Sequence, residues 1–275
     1  MLISKLVAAI ISLGLLTVNC SGNALITPSP GIATDPVHNA DVINIHGSVK
    51  HLERLDAFMD QMQRRQDASV VISHYTIEGD PIYHRIEYRN GAMNVEYDTT
   101  QDKFGSGKII SYTCQTMDKS ETDTEMKYSL HGCSGEAPDW DVLHLSYDVS
   151  KQDYFAFHLK YGDKLTNEID TIDMKLVKDL NNGQMQAVSD FQLNREENQQ
   201  IYKKLVLASY LTEPSFAACG TQPKYELKVR INGGERQFQW SECDSADNKK
   251  FTEIAKLMIG IVESGPIYKA MEGAQ

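Results

Sequence analysis

Apolar positions follow three different patterns along this chain. Leu6 to Val18 form one near-continuous apolar run after Lys5. From Leu52 the spacing becomes helical: Leu55, Phe58, Met59 and Met62 recur at three and four, with Glu53, Arg54, Asp60 and Arg64 opposite, so the mature part is expected to open with a helix. Strand-like stretches follow at Val70–Tyr75, Ile82–Arg89, Ala92–Asp98, Lys108–Gln115, Met126–His131 and Tyr154–Tyr161. Asn90-Gly91 predicts a two-residue type I′ hairpin. Its register pairs Tyr88 with Met93, Ile86 with Val95 and His84 with Tyr97, all on one face, which makes His84 a packed residue.

A second unit is expected from about residue 171. Val188–Phe191 reads as a strand. Asn194 with Glu197 three residues on forms a capping box for a helix carrying Ile201, Tyr202, Leu205 and Ala208. Asn232-Gly233 predicts another hairpin, Tyr225–Ile231 against Gly234–Ser241, pairing Leu227 with Phe238 and Tyr225 with Trp240. A last helix holds Phe251, Ile254, Ala255, Met258, Ile259 and Val262, and Gly265-Pro266 ends it. The expected class is α+β: two small units, each a largely antiparallel sheet with one or two packed helices. The N-terminal unit is expected at 41–165 and the C-terminal one at 171–275, with a boundary between 134 and 189.

The opening run changes the picture of location. Thirteen residues of helix reach about 20 Å, short of a bilayer core. A positive start, a short apolar stretch and then small residues describe a secretory signal, here residues 1–19. Cys20 sits where a lipoprotein signal is cut and would carry the lipid (a diacylglyceryl group, with palmitate as a further acyl chain), although Asn19 departs from the Gly, Ala or Ser usual before such a cysteine. Cleavage after Ala24, as in an ordinary secreted protein, and an uncleaved anchor are the rivals. Residues 20–40, with three Pro and two Gly, read as a flexible tether.

The chain has 27 basic and 38 acidic residues, a net charge of −11. Only Lys5 precedes Cys20, so a chain starting there has 26 basic residues against 38 acidic and a charge of −12. Nucleic acid is a poor partner for it. Five cysteines divide into Cys20 and four others. In an oxidising compartment the economical pairing is Cys114–Cys133 and Cys219–Cys243, each closing a loop of about 20 to 25 residues and worth on the order of 3 kcal/mol. No motif for a metal, a cofactor or a catalytic nucleophile is present, so no catalytic residue is assigned. Glu78, Asp80, Asp98 and Asp102 form acidic loops that read as solvated turns, and Asp139-Trp140-Asp141 surrounds a tryptophan expected to be buried.

The segments Thr76-Ile77-Glu78-Gly79-Asp80-Pro81-Ile82, Asp98 to Gly105 and Tyr128-Ser129-Leu130-His131-Gly132-Cys133 resemble a family of uncharacterised lipoproteins from Gram-positive spore-forming bacteria, known only as a domain of unknown function. The likeness extends over about 41–165, and more loosely to Leu145–Asp153 and Phe238–Asp244. It implies an envelope protein lipid-anchored at Cys20 and no enzymatic activity. The expected function is therefore a non-enzymatic binding or regulatory module. It would sit on the extracytoplasmic face of the cell membrane, with an envelope protein or wall component as partner and the uncovered face of a sheet as contact surface. The alternative is a secreted hydrolase of wall or carbohydrate material acting through Glu78, Asp80, Asp98 and Asp102.

Overall fold

A computed structural model describes residues 40–135, 139–220 and 222–271. The signal, Cys20 and the tether up to Asn39 lie outside the described residues. Two strands precede the first helix: β1 (Val42–Ile45) and β2 (Ser48–Lys50). They were invisible to periodicity because they are short and gain their order from pairing: β1 runs parallel to β3 (Ala68–Tyr75), Val42 opposite Ile72, across the crossover helix α1 (Leu52–Gln63). The sheet continues through β4 (Pro81–Arg89), β5 (Ala92–Asp98) and β6 (Ile109–Cys114), in the order β2-β1-β3-β4-β5-β6. The Asn90-Gly91 hairpin has the expected register, His84 opposite Tyr97 and Ile86 opposite Val95, with both turn residues at positive φ.

A three-stranded sheet follows: β7 (Thr116–Glu121), β8 (Glu125–His131) and β9 (Asp139–Ser146). A bulge at Tyr128/Ser129 makes Val142 the extra residue of β9. This small sheet and α1 together cover one face of the first sheet. Leu55, Phe58 and Met59 of α1 and Met126, Tyr128 and Leu130 of β8 join Val70, Ile72, Ile86 and Val95 in the core. Asp56 of α1 ties the helix to the small sheet by accepting from the Tyr128 hydroxyl at 2.7 Å and Lys119 Nζ at 2.8 Å. Cys114 of β6 is bonded to Cys133 just after β8.

The third sheet has the order β13-β12-β11-β10-β14-β15, from β10 (Phe155–Tyr161), β11 (Asn167–Asp170), β12 (Lys175–Asp179), β13 (Met185–Ser189), β14 (Tyr225–Ile231) and β15 (Gly234–Trp240). Its apolar face packs on α2 (Arg195–Leu207) and α3 (Ala246–Ser264), and a short α4 (Pro266–Ala270) follows. Asn194 and Glu197 make the capping box at the start of α2. Tyr225 opposes Trp240 and Leu227 opposes Phe238, as the second Asn-Gly turn requires. Cys219 and Cys243, on either side of that hairpin, are bonded.

The division at 165/171 is displaced. β10, assigned by sequence to the N-terminal unit, is central in the third sheet, paired with β14 from Phe155↔Ile231 to Tyr161↔Tyr225. Its partners on β14 lie 64 or more residues away in sequence, where local patterning gives no sign of them. The described residues also form one compact unit. Three bonds of Gln199 on α2 hold the segment leading into β10: its amide donates to the Tyr147 and Asp123 carbonyls at 2.8 and 2.7 Å and accepts from Val149 N–H at 3.0 Å. The Ser209 hydroxyl, just past α2, donates to the Val49 carbonyl of β2.

Candidate functional site

Strand alternation sorts β4 and β5 into two sets. His84, Ile86, Met93, Val95 and Tyr97 share the face turned to the core, while Arg85, Glu87, Asn94 and Glu96 share the opposite one with Tyr83 and Asp98, which are buried there. Among the described residues no helix covers this second set. A trough of about 570 Å³ on that face runs from Ser69 and Val71 on β3, past Arg85, Glu87, Asn94 and Glu96, to Ser111 and Thr113 on β6 and Ser134 beyond it. Arg85 lies at its centre and bridges two strands: Nη1 donates to Glu96 Oε1 at 2.7 Å and Asp98 Oδ2 at 2.9 Å. Partial burial works against the guanidinium charge, but these two carboxylates outweigh it and raise the Arg85 pKa. Glu87 pairs with Arg89 at 2.7 Å. Three carboxylates thus share two guanidiniums, leaving the trough slightly acidic.

Two loops close one end of the sheet, the β3–β4 turn (76–80) and the β5–β6 loop (99–108). They carry two of the three segments on which the family resemblance rests. Asp80 accepts from both the backbone N–H and the ammonium of Lys103, at 3.1 and 2.9 Å, and these bonds hold its pKa below the ordinary carboxylate value. Asp98 is disfavoured as an anion by burial, but the Thr100 hydroxyl (2.6 Å) and N–H (2.9 Å) and Arg85 outweigh that and lower its pKa. Asp102 accepts from Phe104 N–H at 3.0 Å and shapes the turn. Glu78 is exposed. The four acidic residues singled out by sequence therefore lie at the two loops or their strand ends. Asp80 and Asp98 are bound as anions and Asp102 is spent on its own turn. Ile77 and Phe104 stand out from these loops, 89% and 79% exposed.

Beneath the trough, on the core side of the same strands, lies a group of aromatic rings. His84, 5% exposed, stacks on Tyr97 at 4.9 Å and meets His74 and Trp140 edge-on at 5.1 Å. Trp140 also contacts Tyr97 and Tyr112. It is half-buried and acts as the plug between the first two sheets rather than as a displayed ring. Neither ring nitrogen of His84 has a hydrogen-bond partner. Burial, and then the neighbouring His74, push its pKa down to about 3. Burial also lowers His74, partly offset by the Val142 backbone, and Asn44 bonds its Nδ1 at 3.1 Å. Burial and then Tyr97 push Tyr112 up to about 12. Both imidazoles are neutral at pH 7, as packed histidines should be.

The exposed face of the third sheet differs. Glu168 there lies between Lys160 and Lys175 at 3.8 and 3.6 Å, and Glu235 bonds Arg230 at 2.6 Å, so cross-strand ion pairs fill it. In a groove of about 740 Å³ beside Cys219 and Tyr161, Tyr225 bonds Glu242 at 2.8 Å and Lys224 pairs with Asp163 at 3.0 Å. Among the described residues no three His, Cys, Asp or Glu side chains are grouped to hold a metal, and no helix is long and apolar enough to cross a membrane.

The sequence reading expected an uncovered sheet face as contact surface but singled out none of the trough strands or residues. Their only signal was the polar half of the hairpin alternation, with Arg85 directly across from Glu96. No curated protein and no solved structure matches the chain. Residues 39–129, which contain the whole first sheet, its trough strands and both loops, match the family model described as a domain of unknown function, DUF4362.

Proposed function

We propose that this protein is a non-enzymatic binding or regulatory module, carried on the extracytoplasmic face of the cell membrane by a lipid on Cys20, and that it meets an envelope protein or wall component through the outer face of its first sheet. The observation that carries this reading is the trough itself: a face that no helix covers among the described residues, lined by hydroxyls, an amide and the Arg85–Glu96 pair, and lying, apart from Ser134, inside the segment that matches the family model. The two disulfides suit an oxidising compartment.

The alternative of a carbohydrate hydrolase needs one carboxyl kept protonated near neutrality beside a second, ionised one. Asp80 and Asp98 have lowered pKa values and ionic partners, which supports the binding reading over that one. A photo-crosslinking residue at Asn94, in the trough, tests the proposal in intact cells, with Gln237 on the third sheet as a control position. The expected result is one defined adduct from position 94 that is absent from position 237 and lost in a Cys20→Ala chain. Equal labelling from both positions, or none from 94, contradicts it.

A further inference from the structure

β6 is an edge strand whose backbone is half unspent. Thr113 uses its outward groups on Ser134, donating its N–H to Ser134 Oγ at 3.0 Å and accepting from Ser134 N–H at 2.7 Å. At the other end of the ladder Lys108 faces inward, its carbonyl accepting from Thr99 N–H at 2.9 Å. Direction alternates along an antiparallel strand, so Ile109 and Ser111, between these two points, aim their N–H and C=O groups away from β5. Among the described residues nothing pairs with those four groups.

Edges of sheets are usually protected by charge, proline, shortness or a cover. Here β7, β9 and β15 carry charged residues, and β2 is three residues long with Val49 capped by Ser209. β13 also lacks charge, but the trough described above does not reach it. β6 reads Ile109-Ile110-Ser111-Tyr112-Thr113-Cys114, without charge or proline, and Ile109 and Ile110 are 56% and 49% exposed on opposite faces. The trough with its excess carboxylate ends against this edge.

We propose that the β6 edge is a strand-acceptor site: an extended peptide segment of a partner protein adds antiparallel to Ile109–Ser111. Its apolar side chains would lie beside Ile110 and Tyr112, and its basic side chains would lie over the trough near Glu96. This names the chemistry of the partner and rests on the outer-face reading above. Backbone pairing supplies the affinity and the alternating side chains the selectivity. An extended main chain matches alternating outward N–H and C=O groups at strand spacing, and the carboxylate excess favours cationic side chains in it.

The test uses the full mature protein in detergent and a blocked nonapeptide alternating valine and lysine. A second peptide carries N-methyl groups on alternate amides, which removes one hydrogen-bonding edge and keeps the charge. The expected result is binding of the first peptide with at least tenfold slower amide exchange at Ile109 and Ser111, and at least tenfold weaker binding of the methylated one. Ser111→Pro should fold, since proline is tolerated where a strand N–H faces out, and should lose binding. Ile109→Lys, which keeps that N–H, should weaken it several-fold by charge. Equal binding of both peptides, or unchanged exchange at the two amides, overturns the proposal. So does self-association of the protein that Ser111→Pro abolishes, because the occupant would then be a second copy. A trough crosslink from Asn94 obtained alongside any of these results would leave the binding reading standing and remove only the strand mechanism.

Discussion

Lys103 closes on Asp80 twice, through its backbone N–H at 3.1 Å and its ammonium at 2.9 Å, although the two residues are 23 apart in sequence. The carboxylate is one end of the β3–β4 turn and the lysine is in the β5–β6 loop, so the loops bearing Ile77 and Phe104 are fastened as one piece. Asp80→Ala should release both. Limited proteolysis should then cut between Gln101 and Ser106 several times faster than in the parent chain, with strand content unchanged. Lys103→Ala retains the backbone half of the contact and should show a smaller increase. Equal cleavage in all three would mean the loops are held by something else.

His84 sets the pH response of the first two sheets. Its folded pKa is about 3, against 6.5 for an exposed imidazole. Between those values the unfolded chain binds a proton that the folded chain refuses, so stability is lost as pH falls from about 6.5 towards 3. The slope approaches about 1.4 kcal/mol per pH unit for one such group. Asp80 and Asp98 add to the loss at lower pH: their pKa values are depressed in the folded chain, so the stability they contribute is present above about 4 and disappears below it. Urea unfolding at pH 7, 6 and 5 should show a falling midpoint. In His84→Phe, which suits a site walled by Tyr97 and Trp140, the fall over that range should shrink markedly. An unchanged pH profile in the variant would contradict the assignment.

The two disulfides should differ in access. Cys114 and Cys133 are buried where the first two sheets meet, whereas Cys219 is exposed. Exchange needs an attacking thiolate to reach sulfur. Mild reductant followed by alkylation and peptide mapping should therefore label Cys219 and Cys243 first. Replacing Cys114 and Cys133 together by alanine should cost roughly 3 kcal/mol by the loop-entropy argument, read as a lower urea midpoint.

Elements with a local signature were legible in the sequence. Asn90-Gly91 and Asn232-Gly233 fixed two hairpin registers because their turn geometry demands them. Asn194 and Glu197 fixed the start of α2 through adjacent backbone N–H groups. What escaped was non-local. β1 is four residues whose order comes from β3, 30 residues on, and β10 belongs with β14, some 70 residues on. The trough shares this character. Arg85 and Glu96 face each other by hairpin register and were readable in principle, but Ser134 reaches Thr113 from 21 residues away, beside the Cys133–Cys114 bond. The acidic loops went the other way: their residues read as solvated turns, yet Asp80 and Asp98 are buried, and Asp80 is satisfied by Lys103, a partner no spacing rule singles out.

The measurement that tests the account most directly is the intact mass of the protein extracted from membranes, with and without reduction. The account predicts a chain that starts at Cys20, carries a diacylglyceryl group and takes up four hydrogens on reduction, two for each disulfide. A chain that starts at Leu25, after cleavage behind Ala24, and carries no lipid would contradict it. The protein would then diffuse freely rather than present its trough at the membrane surface.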